Sequence, residues 1–486
     1  MMVISMSFFS HENQGSPPSL SDCGRIRSGT KCDLIYCMDK LGCSVESPKP
    51  TVLILDGAVC VQMLKPQFCK TFQEYSEKVF LPYIIKSLEN VQRVDLVWDE
   101  YIPNSLKACT REKRGTGARR RVLPSVTVPR NWQDFLRSDD NKKELFTFLS
   151  EQAMIIVIEG KQIVATHGTK VLCSPPMTVG SNLSPCSHEE ADTRMMVHVA
   201  DAVGNGHKSI MIRTADTDVV VLAVAAVVTL NLEELWVSYG TGKSHKVLPA
   251  HLFAKALGSS KSRCLPLFHA LTGCDTTSFF AGHGKRTAWT TWESFPDVTC
   301  AFLELASARS AISCESLSLI ERYLILMYDK TSPLSKVRVD INEIVYSWLF
   351  YSYGPSLSLQ LLLFMLQVND ARKYLFTKKG RGLEGLPPTH DALKQHLMRA
   401  TYQGGYVWGQ ATIPAAVLPD PTDWGWTVGR ERHIQPRGTT LPAAAVSCKE
   451  LVHCGCKKSC SKRCKCVKAG LPCTPLCVCD GQCIRE

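Results

Sequence analysis

Four short apolar runs set the rhythm of the first half of the chain. Thr51–Leu55 (TVLIL), Val94–Trp98 (VDLVW), Ile155–Ile158 (IIVI) and Ser209–Ile212 (SIMI) are rich in strand-forming residues, and longer stretches of helical texture separate them. Strands buried on both faces read as continuous apolar runs, and their alternation with helices is the pattern of a covered parallel sheet. The expected fold class is therefore α/β, a parallel sheet flanked by helices. Upstream, residues 1–50 are rich in Ser, Pro and Gly without a sustained period and read as a flexible leader. Beyond about Leu324 the pattern turns helical, which predicts a helical extension over 331–413. Pro414–Pro442 carries Trp424 and Trp426 among five prolines and reads as a linker over 414–447. Ile344–Val368 has no charge over 25 residues, but Gly354-Pro355 and scattered Ser, Tyr and Gln favour two short buried helices over a membrane span.

In an open α/β sheet, ligands bind in the crevice beyond the carboxyl ends of the strands, and this chain places acids there repeatedly. Asp56 follows the first run (Leu55-Asp56-Gly57) and Asp99 the second (Trp98-Asp99-Glu100). Asp216 and Asp218 follow the fourth, and Asp275 lies in Gly273-Cys274-Asp275-Thr276-Thr277. Glu190 and Asp192 belong to His188-Glu-Glu-Ala-Asp-Thr-Arg194, where a helix with the apolar stripe Ala191, Met195, Val199 and Ala202 begins. Positions i and i+2 of a helix point apart, so this pair can share a ligand only if Glu190 stands at or before the first turn. Each acid alone has an ordinary use as a turn residue, a cap or a solvated strand end. Together they suit Mg²⁺ or Mn²⁺, which take oxygen ligands, and carboxylates gathered in one place repel one another without cations. His188 and His283 read as structural residues, and Gly282-x-Gly284-Lys285 as a tight turn.

The C-terminus changes texture. Cys454, Cys456, Cys460, Cys464, Cys466, Cys473, Cys477, Cys479 and Cys483 are interleaved with Lys457, Lys458, Lys462, Arg463, Lys465 and Lys468, and large apolar residues are lacking. Thiolates bind Zn²⁺ tetrahedrally at about 2.3 Å, and nine can serve three ions if some sulfurs bridge, so metal replaces a hydrophobic core. An odd cysteine count and the lack of a secretory pattern at the start of the sequence argue against disulfides. The other fourteen of the 23 cysteines are scattered, as in reduced cytosolic or nuclear proteins. The net charge of +11 is concentrated in Lys107–Arg121, with seven basic residues against Glu112, and in Lys449–Glu486, with eight basic and three acidic residues. Such clusters favour a polyanion over a membrane or a small-molecule cofactor.

Two resemblances sharpen these expectations. The tail, with its Cys-x-Cys spacings and Cys456-Lys457-Lys458-Ser459, resembles the tesmin-type CXC domain, which implies a three-zinc, DNA-binding cluster over 448–486. The order of the acids over roughly residues 50–330 resembles the flap-endonuclease branch of PIN-like nucleases: an Asp after the first strand, an Asp after the next and then a basic segment, a Glu-x-Glu/Asp pair opening a helix, an Asp-x-Asp and a Gly-x-Asp. That resemblance implies that Asp56, Asp99, Glu190, Asp192, Asp216, Asp218 and Asp275 hold two Mg²⁺ or Mn²⁺ ions about 4 Å apart for phosphodiester hydrolysis. It also implies that Lys107, Arg111, Lys113, Arg114, Arg119, Arg120 and Arg121 form a basic arch over the substrate strand. Glu100, Glu159 and Glu189 have no counterpart in it. The whole chain is similar to a group of animal proteins, often associated with mobile elements, that join such a domain to a CXC tail. The expected function is a structure-selective nuclease on DNA, or on RNA, located in the nucleus. The alternative is an inactive DNA- or chromatin-binding protein that keeps the nuclease-like domain as a scaffold. Val337–Gln367 interrupts the resemblance, because Tyr328–Pro333 and Val368–Arg372 read as neighbours, and it is expected to be translated intron or a gene-model error.

Overall fold

A computed structural model describes residues 9–12, 15–22, 24–42, 48–102, 105–108, 111, 117–176, 182–307, 311–330, 368–379, 381–429, 433–442, 454–456, 459–460, 464–468 and 484–485. Its centre is a sheet of seven strands: β1 (Val52–Asp56), β2 (Arg93–Val97), β3 (Gln162–His167), β4 (Lys170–Ser174), β5 (Ser209–Thr214), β6 (Glu234–Tyr239) and β7 (Lys246–Pro249). They lie in the order β4-β3-β2-β1-β5-β6-β7. The five inner strands are parallel, and β4 and β7 close the two edges as antiparallel partners.

Alternate side chains leave a strand on opposite faces, and both faces are covered here. On one side Val52, Ile54, Ile210 and Ile212 pack under the helices α5 (Ala191–Gly204), α6 (Thr217–Leu230) and α7 (Ala250–Leu271). On the other, Leu55, Val94 and Leu96 pack under α2 (Gly57–Met63), α3 (Leu81–Leu88) and α4 (Asp139–Ala153). α6 is apolar nearly all round, and Val219, Val220 and Val221 are fully buried, which suits a helix wedged between the sheet and α7. From β1 the chain runs outward through β2 and β3 on one side and returns to build β5 and β6 on the other. The crevice between β1 and β5 is thus the topological switch point.

Three expectations are corrected. The run Ile155–Ile158 is not a strand: α4 ends at Ala153, Ile155 and Val157 are 62% and 81% exposed, and β3 begins at Gln162. An apolar run alone does not fix an element, and the QIVATH segment, whose Ile163-Val164-Ala165 core is buried, takes the place beside β2. The leader is not wholly flexible. Its helix α1 (Asp33–Asp39) buries Leu34, Ile35, Cys37 and Met38 in the main core. The linker is likewise packed in part: Trp426–Val428 and Ile434–Pro436 pair antiparallel, Trp426 is buried, and the Arg399 guanidinium donates to the carbonyls of Gly425 (2.9 Å) and Arg437 (2.6 Å).

The helical extension contributes α11 (Val368–Lys379) and α12 (His390–Thr401), which follow α8 (Lys285–Ser294), α9 (Val298–Ser307) and α10 (Cys314–Tyr328). The insert at 337–367 lies outside the described residues. No described helix is long and apolar enough to cross a membrane.

Candidate metal centre

The switch-point crevice is a cleft of about 270 Å³ lined by Asp56, Asp99, Glu190, Asp192, Asp216 and Asp275. Asp218 lies beneath it, 1% exposed. Seven acids drawn from five separate stretches of chain therefore meet in one place. Each is set there by local chemistry. Asp56 ends β1 and caps α2, its Oδ1 accepting from the Val59 amide at 3.1 Å and its Oδ2 from the Thr214 hydroxyl at 2.9 Å. Asp99 is placed by Trp98, which stacks on Phe146 (centroids 4.3 Å apart) and donates from Nε1 to Ser150 at 2.8 Å. Gly57 makes room for that indole: a Cβ there would stand 2.0 Å from Trp98 Cε3. Asp99 Oδ1 in turn accepts from the Ala191 amide at 2.9 Å, joining the β2 end to the start of α5.

Glu190 is the extended residue just before α5 (φ −98°, ψ 136°), and Asp192 sits in the first turn, the arrangement in which both can face one ligand. Asp216 caps α6 by accepting from the Asp218 amide at 2.9 Å. Carboxylate oxygens of Asp192, Asp216 and Asp218 come within 4.8 Å of one another, so this triad can hold a metal ion. Asp275 is carried on a turn that needs glycine: Gly273 has φ +106°, and a Cβ there would meet Phe279 at 2.8 Å.

Residues that no sequence motif marked support the cluster. His269 donates from Nε2 to Asp218 Oδ1 at 2.8 Å, and burial lowers its pKa to about 4, so it is neutral. Lys285, at the end of the Gly282-x-Gly284 turn, points inward. It is 3% exposed and donates to the carbonyls of His269 (2.8 Å) and Gly273 (2.7 Å) and to the Thr272 hydroxyl (2.9 Å), capping the end of α7 and bracing the Asp275 turn. Burial lowers its pKa to about 7.

Two lysines enter the cleft. Lys107 Nζ lies 2.8 Å from Glu190 and 3.3 Å from Asp275. Lys31 Nζ lies 2.7 Å from Asp275, 3.1 Å from Asp218 and 3.2 Å from Asp216. Even so, the cluster is short of positive charge. Burial and the charge of Asp99 push the Asp56 carboxyl up to about 7, burial brings Glu190 to about 7, and burial with Asp216 raises Asp192 well above the carboxylate range. Burial would raise Asp218 too, but Lys31 and His269 outweigh it and hold this carboxyl low. Among the described residues Glu190 Oε2 is buried without a hydrogen-bond partner. Buried, partly unsatisfied carboxylate oxygens gathered in this way could hold a metal ion.

The basic segment divides. Lys107 and Arg111 line the cleft, with Arg111 paired to Glu189 (2.7 Å) and Asp139 (3.0 Å). Arg119 and Arg121 pair with Glu144 on α4, and Arg120 donates to the Thr127 carbonyl at 2.8 Å, while all three stay exposed. Lys113 and Arg114 lie outside the described residues. Glu100 and Glu189, given no part by sequence, line the cleft, whereas Glu159 is exposed elsewhere. His188 is structural, its ring nitrogens meeting the Ile413 carbonyl (2.6 Å) and the Thr193 hydroxyl (2.9 Å).

In the tail, the sulfurs of Cys454, Cys456 and Cys464 lie within 4.8 Å of one another and can bind a metal. Cys454, Cys464 and Cys466 are buried, Cys460 pairs in a short strand with Arg485, and the described cysteines form no disulfide. Lys465 is exposed; the side chains of Cys460, Cys473, Cys477, Cys479, Cys483, Lys457, Lys458, Lys462 and Arg463 lie outside the described residues. No protein-family model and no curated protein sequence matches the chain.

Proposed function

We propose that this chain is a Mg²⁺- or Mn²⁺-dependent nuclease of the PIN-like, flap-endonuclease type, brought to DNA by a zinc-cluster tail. The observation that carries this reading is the convergence of Asp56, Asp99, Glu190, Asp192, Asp216, Asp218 and Asp275 at the switch point. Divalent ions held there would acidify an attacking water and stabilise the leaving oxygen of a phosphodiester. The chain's own residues do the rest. Thr214 and the Val59 and Ala191 amides fix the first two acids, His269 orients Asp218, and Lys107 holds a cation at the rim where a phosphate oxygen would enter.

A cleavage assay on flapped, hairpin and plain duplex DNA, with RNA counterparts, tests the reading. Cutting should require Mg²⁺ or Mn²⁺ and fall to background in the Asp216→Ala, Asp218→Ala double variant. One observation favours a second reading, an inactive DNA- or chromatin-binding scaffold. Lys31 and Lys107 already pair with four of the seven acids, as in a site that has exchanged metals for lysines. Absence of metal-dependent cutting on every substrate, with DNA binding intact, would select it.

A further inference from the structure

Beside the acid cleft lies a second hollow, of about 440 Å³. The two share a wall. Lys107, Glu189 and Glu190 line both, and of two consecutive residues Asp275 lines the cleft and Thr276 the hollow. Their linings differ: the cleft is rich in carboxylates, whereas Ile102, Leu106, Tyr402, Val407, Leu418 and Ile434 make the hollow mainly apolar. Leu418 and Ile434 come from 414–447, so the stretch that reads as a linker supplies part of this wall.

The polar side chains around the hollow are mostly spent on one another. Ser105 Oγ donates to Glu189 at 2.6 Å, the His188 ring meets the Thr193 hydroxyl and the Ile413 carbonyl, and Thr276 Oγ1 donates to Gln403 Oε1 at 2.9 Å. The last bond leaves the Gln403 amide nitrogen uncommitted. This side chain is 3% exposed, and among the described residues its nitrogen donates to no acceptor. An apolar space of about 300–1,000 Å³ with a few placed polar groups is how proteins hold a small ring and fix its orientation.

We infer that the hollow takes one unstacked nucleobase of the strand whose phosphate lies at the acids, with the base against Tyr402 and Gln403 donating to a ring nitrogen or carbonyl oxygen. The inference rests on the nuclease reading above and adds what the substrate must present. The occupant follows from the shared wall: a ligand that sets an anionic oxygen among metal-holding acids and a flat, largely apolar ring just beyond Lys107 is a nucleotide. An apolar peptide segment would fill the hollow and leave the cleft unused. A base stacked and paired in a duplex cannot enter, so the hollow selects single-stranded or frayed strands.

The test titrates the full chain with 2-aminopurine deoxyriboside, an uncharged nucleoside whose fluorescence reports burial of its base, with no added divalent ions. Wild type should bind it. Ala416→Trp fills the hollow from a partly exposed position, and Leu418→Asp puts a charge at an exposed one. Each should weaken binding about tenfold or more, the size of one base–aromatic contact. Circular dichroism confirms that each variant is folded. No binding by wild type at millimolar nucleoside, or equal binding by wild type and both folded variants, would overturn the inference. The 5′-monophosphate of the same nucleoside tests the nuclease reading separately, since Mg²⁺ in the cleft should tighten its binding. A monophosphate that gains nothing from Mg²⁺, while the variants still lose the nucleoside, would uphold the base site and count against the metal-dependent reading alone.

Discussion

Asp56→Asn should stabilise the protein when divalent ions are absent, although it removes a charge from the site. Asp56 is 6% exposed, and burial with the charge of Asp99 raises its carboxyl from 3.8 to about 7. A pKa raised on folding costs nothing well below pH 4, where folded and unfolded chains are both protonated, and stability is lost as pH rises to about 7. The full cost of ionising Asp56 is about 4 kcal/mol at 1.36 kcal/mol per unit. Asn keeps an acceptor for the Val59 amide and presents an N–H to the Thr214 oxygen in place of the hydrogen bond Asp56 now accepts. Losing the negative charge at the start of α2 gives back about 0.5–1 kcal/mol. The net gain at pH 8 is therefore about 3 kcal/mol, roughly 5–10 °C in melting temperature for a domain of this size. The assay is thermal unfolding in buffer freed of loose divalent ions, at pH 8 and pH 5, with and without Mn²⁺. Most of the gain should vanish at pH 5, and added Mn²⁺ should stabilise wild type more than the variant. A variant less stable than wild type at pH 8 without Mn²⁺, or one whose advantage is the same at both pH values, would refute the reasoning.

Other perturbations probe separate parts of the account. Gly57→Ala forces a methyl group into Trp98 and shifts the neighbouring Asp99; it should cost about 1–3 kcal/mol in a urea titration and weaken Mn²⁺ binding, and an unchanged affinity would separate the glycine from the site. Asp95→Ala strips a fully buried carboxylate from Arg93 (2.6 Å) and His198 (2.7 Å), and should cost about 3–5 kcal/mol by the same titration. Cys454→Ser with Cys464→Ser should lower the zinc content read by elemental analysis and weaken retention on DNA, whereas undiminished zinc would exclude these sulfurs as ligands.

The parts legible in the sequence were those whose signal is local. Asp56, Asp99 and Asp216 could be placed because each follows a short β-rich run, directly or within a few residues, and such a run ends at the rim of a parallel sheet. Glu190 and Asp192 could be placed because the stripe through Met195 and Val199 fixes where α5 begins. Ile155–Ile158 misled because a short apolar run carries no period, and β3 went unread because its apolar core, Ile163-Val164-Ala165, is only three residues long and follows that more conspicuous run. Lys31 was invisible: nothing in a Ser- and Pro-rich leader marks a lysine that tertiary packing carries to acids nearly two hundred residues away. His269 and Lys285 hid in the same way, since their partners are a distant carboxylate and backbone carbonyls. The basic segment was read as one surface, yet Lys107 and Arg111 turn inward while Arg119 and Arg121 answer Glu144, a division set by which acids α4 and α5 present.

The most direct test of the central claim is anomalous diffraction from crystals of the full chain grown with Mn²⁺. The account predicts a manganese peak inside the cleft, coordinated by carboxylate oxygens from among Asp56, Asp99, Glu190, Asp192, Asp216, Asp218 and Asp275. A map with no such peak at saturating Mn²⁺, or with manganese only at unrelated surface acids, would contradict it.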